Sequence, residues 1–194
     1  MRRRLLLALL LAGAWHGWQE REQHQPPGVL APAEPLQDEA PTGTRFSKAG
    51  DDLQALAHFD IEARVLGKEI YRLDREARLA PVDLALGWGP MSDSAVLEKL
   101  SISQGQRFYF WRATDLPLPP EEISSHSANM HLIPADAAVE HRLKSLRKGQ
   151  VVHFRGYLVE ARSPDGWRWR SSLSRTDTGA GACELVWVED VEVR

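Results

Sequence analysis

The chain has 194 residues, 43% of them hydrophobic and 26% charged, enough for one globular domain and too apolar for disorder throughout. Lysine and arginine number 24 against 27 acids, and the net charge of −3 offers no general attraction for a polyanion, which argues against nucleic acid as a partner. A single cysteine excludes an internal disulfide and every multi-thiolate zinc or iron–sulfur site, so neither a metal nor another cofactor is expected.

At the start, Arg2, Arg3 and Arg4 precede an apolar run over residues 5–15. That run has the length of a signal-peptide core and is shorter than the ~18 to 20 residues of a full transmembrane helix. Residues 1–18 therefore read as an export signal, with the arginines held on the cytoplasmic side. Ala12-Gly13-Ala14 fits the small-x-small rule for cleavage, whereas Trp15 and Trp18 suit retention as a short membrane anchor; both outcomes stay open. The expected location is the periplasm or cell envelope, at the inner membrane if the signal is uncleaved. One cysteine suits an oxidising compartment.

Residues 19–50 are polar and proline-rich, with Pro26, Pro27, Pro32, Pro35 and Pro41 and no apolar periodicity. They read as a flexible tether. The apolar island Gly28-Val29-Leu30-Ala31 is the one stretch suited to docking on the domain.

A single globular domain is expected over residues 51–194. Phe59, Ile61, Ala63 and Val65 alternate with Asp60, Glu62 and Arg64, the period-two pattern of a half-buried strand. Residues 81–86 suit a short helix with Pro81 in its first turn. Asp93 or Ser92 can cap a helix carrying Val96, Leu97 and Leu100, and a second strand is expected over residues 107–111. Pro119-Pro120-Glu121-Glu122 starts a helix that stops near His126; residues 127–134 form an irregular link, and Asp136 caps a helix bearing Val139, Leu143 and Leu146. Residues 150–161, 167–173 and 184–193 read as three antiparallel strands, the first two joined by the Ser163-Pro164-Asp165-Gly166 turn. The class is α+β, small helices mixed with antiparallel strands and ending in a three-stranded antiparallel unit. Gly156 inside the first of these strands is the kind of bend that coils a sheet into a small barrel, similar to the first strand of an oligonucleotide-binding-type barrel.

Four stretches together resemble a family of bacterial envelope proteins that carry an N-terminal signal or anchor and have no established function. They are Pro26 to Ala31, Asp83 to Met91, His126 to Ala135, and Trp167 to Leu173 with Thr176 to Glu184. The resemblance spans nearly the whole chain. It implies the compartment and no activity.

The candidate functional residues rest on side-chain chemistry. Cys183 enters the last strand from a small-residue loop; with His126 or His131 beside it and Arg170 or Arg175 as an anion clamp, it would form a cysteine hydrolase or transpeptidase site. Trp167-Arg168-Trp169-Arg170 puts two indoles on one strand face and two guanidiniums on the other, a surface suited to an envelope protein or polymer, with Trp88 and Asn129 as further contact candidates. Two histidines without a third ligand do not make a metal site. The leading expectation is a non-catalytic binding module, and the alternative is the Cys183-dependent enzyme.

Overall fold

The computed structural model describes residues 21–174 and 183–194. Among these the fold is a mostly-β mixed sheet with three short helices. The strands are β1 (Leu36–Glu39), β2 (Arg45–Lys48), β3 (Asp51–Ile70), β4 (Val82–Gly87), β5 (Ser101–Gly105), β6 (Phe108–Arg112), β7 (Ser127–Pro134), β8 (Val151–Arg162), β9 (Arg168–Arg170) and β10 (Glu184–Val193). The helices are α1 (Ser94–Leu97), α2 (Pro120–Ser125) and α3 (Ala137–Ser145).

Backbone hydrogen bonds run in a ring from β3 through β4, β7, β10 and β8 back to β3. Every neighbour is antiparallel except β7 and β10, which are parallel. The ring is not a regular barrel. Its register shifts between Ala55 and Ala57, between Val65 and Gly67, and between Val188 and Asp190, and such bulges add the local twist that lets the 20-residue β3 pair first with β8 and then with β4.

Alternation along β3 turns Ala57, Phe59, Ile61, Ala63 and Val65 inward, where they meet Leu84 and Leu86 of β4, Met130 and Leu132 of β7, Phe154 and Leu158 of β8, and Val186 and Val188 of β10. α3 packs against this core through Val139, Leu143 and Leu146. Asp136 caps α3 by accepting from Val139 N at 2.8 Å, and Asp93 caps α1 by accepting from Ala95 N at 2.8 Å, as the sequence led us to expect. The outward faces of the ring are also covered. One layer joins Leu53, Ile133, Val159, Leu185 and Trp187 to Phe46, Tyr157, Trp167 and Trp169; another joins Leu66, Ala85 and Met91 to the β5–β6 hairpin and α2.

This double coverage accounts for two of the elements that differ from expectation. Residues 81–86 are not a helix: they form β4, whose six residues are all buried, leaving no polar alternation to read. Residues 127–134 are not an irregular link but β7, buried at seven of its eight positions. β5 had no sequence signal, and β9 is shorter than the strand expected over residues 167–173.

The N-terminal segment, as far as it is described, is not a free tether. β1 and β2 pair along β3, bonding through backbone, so their exposed polar side chains gave no sign of the pairing. Before them the chain lies on the domain as a strap. Gln23 N donates to Lys148 O at 2.8 Å, Gly28 N to Asp93 Oδ1 at 2.8 Å, and Leu30 N and Ala31 N to Ser92 Oγ at 3.0 and 3.1 Å. Further along, Trp88 Nε1 donates to Glu34 Oε2 at 2.9 Å. The island at residues 28–31 docks through its backbone and through the fully buried Ala31, while Val29 stays exposed. Residues 1–18 lie outside the described residues.

Candidate functional site

Asp83 on β4 and His131 on β7 stand directly opposite each other in the antiparallel register, on the outward face of the ring. Both are buried, and His131 Nδ1 lies 2.9 Å from Asp83 Oδ2, in ion-pair range but off the line of a hydrogen bond. A carboxylate so placed needs compensation. It comes from Arg107, whose Nη1 donates to Asp83 Oδ1 at 2.9 Å and to Ala80 O at 2.8 Å while Nη2 donates to Asp74 Oδ1 at 2.8 Å. Asn129 Nδ2, two residues before His131, adds bonds to Asp83 Oδ2 at 3.3 Å and to Arg107 O at 3.0 Å. Gln104 Nε2 in turn donates to Asn129 Oδ1 at 2.8 Å.

Arg107 gets there because the β5–β6 connection turns on two residues, Gln106 and Arg107, with φ of 52° and 69°. Positive φ at both central positions is the primed turn that matches strand twist, although neither residue is one that favours it. The tight turn points the guanidinium back over the sheet. It stacks 3.8 Å above the Tyr71 ring, and Arg107 N donates to Tyr71 Oη at 3.0 Å. Burial raises the Tyr71 phenol above its ordinary range.

Above this cluster lies a cavity of about 350 Å³ whose lining includes Arg107, His131, Trp167, Trp169 and Cys183, with Arg168 and Arg170 along β9. The volume falls in the range of small-ligand sites. The Trp169 ring lies 4.8 Å from the His131 ring and 6.0 Å from Trp167, and the Arg75 guanidinium sits 4.7 Å over Trp167. Cys183, half-buried at the entry to β10, places Sγ 4.0 Å from Arg107 O.

On the other face of β9, three guanidiniums gather on the buried carboxylate of Glu160. Arg162 Nη2 donates at 2.9 Å and Arg170 Nη1 at 3.2 Å to Oε2, and Arg168 donates to Oε1 through Nε at 2.9 Å and through Nη2. The Arg162 hydrogen bond leads in lowering the carboxyl to about 2, against the opposing effect of burial and with further help from Arg168. A folded-state value below the ordinary 4.5 means that this group stabilises the fold above that pH and loses its contribution as pH falls towards 2. The urea midpoint of the wild type should therefore drop more between pH 6 and pH 2.5 than that of Glu160→Gln. Equal drops would show that Glu160 is not held by its arginines in solution.

Of the residues singled out from the sequence, the structure brings His131, Cys183, Trp167, Arg168, Trp169 and Arg170 to one cavity. Three described candidates, His126, Trp88 and Asn129, do not join them. His126 ends α2, with Nε2 3.2 Å from Glu34 on the strap, and five residues of extended strand, about 16 Å, separate it from His131. Trp88 is a core residue, 1% exposed, and so is not a contact residue. Asn129 is buried as well and serves the cluster beneath the cavity rather than its surface. Arg175 lies outside the described residues. Asp83, Arg107 and Glu160 were missed, yet a lone acid within an apolar run, as in Val82-Asp83-Leu84 and Val159-Glu160-Ala161, is a readable sign of a paired buried charge. Among the described residues no group of three His, Cys, Asp or Glu is placed to hold a metal ion. No family model, no curated protein and no solved structure matches the chain.

Proposed function

We propose that the protein is an exported or membrane-tethered envelope domain that binds an anionic component of the envelope in the cavity beside β9. The observation that carries this reading is the convergence of two indoles and two guanidiniums on one recess. Arg168 and Arg170 have side chains 61% and 53% exposed, and with Arg162 they bring three positive charges to one buried carboxylate. The surplus charge is available to a ligand, since a guanidinium presents five donors and Glu160 occupies only some of them. Trp167 and Trp169, both half-buried, offer apolar surface next to that charge. Arginine edges with aromatic faces suit an acidic saccharide, whose ring covers an indole while its carboxylate meets a guanidinium.

Titration with oligogalacturonate, followed by tryptophan fluorescence, tests this directly. A saturable change is expected, weakening as salt rises, with none for neutral dextran. The double variant Arg168→Gln, Arg170→Gln should bind at least tenfold more weakly. Absence of saturation in the wild type, or equal binding by that variant, would overturn the reading. Export is tested separately by fusing to Arg194 a reporter that is active only in the cytoplasm; activity there would count against the envelope location.

A further inference from the structure

We propose that this cavity is also an acyl-transfer site, in which Cys183 is the nucleophile and His131 its base, acting on an amide or ester whose acyl part carries an anionic group. The inference goes beyond binding and shares only the arginine wall with it.

Three observations converge on His131 and the thiol. First, His131 is 2% exposed, has Nδ1 2.9 Å from Asp83 Oδ2, and lines the cavity. Nε2 has no hydrogen-bond partner among the described residues and is not sealed in. A buried imidazole beside a carboxylate at the wall of a cavity is a candidate general base, since such contacts often align only when substrate is bound.

Second, strand register places Cys183 near His131. β10 runs parallel to β7 with Glu184 opposite Met130 and Leu185 opposite His131, so Cys183 falls opposite Asn129. It is thus the diagonal neighbour of His131 on the same outward face, at a spacing of about 7 to 8 Å between Cα atoms that a histidine side chain can bridge. Both residues line the cavity.

Third, Asp83 is more elaborately held than packing requires. Arg107, Asn129 and His131 share its two oxygens on the outward face of the sheet, where an apolar pair would cover the strands without the cost of desolvating charge. Its position fixes the ring of His131, which makes it a positioning residue.

In the reaction His131 Nε2 takes the thiol proton as Sγ attacks the acyl carbonyl carbon. The carbon–sulfur bond forms, the bond to the leaving amine or alcohol breaks, and that group departs with the proton from His131. Water or a second amine then attacks the thioester and gives its proton to His131. The thiolate leaves and recovers that proton.

The test uses the full chain and follows modification of Cys183 by intact mass. At pH 6.5 the uncharged probe iodoacetamide should alkylate Cys183 at least tenfold faster than the cysteine of an unstructured peptide, and His131→Gln should bring the rate down to that of the peptide. 4-Nitrophenyl acetate should leave one acetyl group on wild-type Cys183 together with a burst of nitrophenol. This second measurement needs no variant and decides the matter even if His131→Gln fails to fold. A wild-type thiol no faster than the peptide, a folded His131→Gln that labels like the wild type, or no acetyl group on Cys183 would each overturn the proposal. Iodoacetate, the anionic analogue, separates the two readings. In the wild type its preference over iodoacetamide should fade as salt rises while the iodoacetamide rate does not respond to salt, so loss of the preference alone reports on the anion wall and loss of the iodoacetamide rate reports on the thiol and its base.

Discussion

Asp83→Ala should lower stability by about 3 kcal/mol, towards the lower end of what breaking a buried ion pair costs. The substitution removes one of the two acceptors of Arg107 Nη1 and the partner of His131 and Asn129 in one step. Arg107 keeps Asp74, on the solvent side, and this holds the cost below the top of that range. Of a total that for most domains is about 5 to 15 kcal/mol, the loss is large. Urea denaturation should show a lower midpoint at an unchanged slope. Asp83→Asn, which keeps one acceptor for Arg107 in nearly the same volume, should cost less. If Asp83→Ala costs under about 1 kcal/mol, the cluster is not desolvated as described.

Gly156→Ala should be at least as damaging, at about 3 kcal/mol or more, because the excluded volume falls on backbone rather than on a side chain that can move. A Cβ at position 156 would lie 1.8 Å from Trp187 O and 3.2 Å from Val188 Cα. Gly156 pairs with Val188 on one side and with Phe59 on the other, so any shift that relieves the overlap disturbs β10 or β3 and opens the ring. Gly166→Ala is the control. It sits in the β8–β9 turn at φ +89° with no atom within 4 Å of an added Cβ, so it should cost only the left-handed conformation, about 1 to 2 kcal/mol. Comparable losses in the two variants would show that close strand approach is not what Gly156 provides.

The elements that could be read from the chain are those with one wet face or a chemical boundary. β8 and β10 were marked by long β-rich runs, β8 also by the clear turn that follows it, the middle of β3 by strict alternation, and α1 and α3 by Asp93 and Asp136 at their caps. β4 and β7 carried no such mark. They lie between the inner core and an outer layer, so both faces select apolar residues and the period disappears. β1, β2 and the strap pair through main-chain groups, which composition does not report. At the site, the residues whose chemistry shows in their type, Cys183, His131 and the Trp167 to Arg170 run, were found. Arg107 was not, because its role depends on a two-residue turn that carries neither glycine nor asparagine. Asp83 acquires its meaning only from the register that sets it against His131.

The strap also sets a leash length. Between Trp18, the last residue of the expected signal or anchor, and Gln23, which is bonded to the domain at Lys148, lie only four residues. Five Cα steps can cover no more than about 18 Å even when fully extended. If residues 5–18 stay in a membrane, the domain is not a float on a long line but is moored close to the bilayer, with the Gly149 side of the molecule towards the lipid headgroups. On the proposed reading, a ligand of the cavity would then be one that lies near the membrane surface, and releasing the strap would widen the radius the cavity can search.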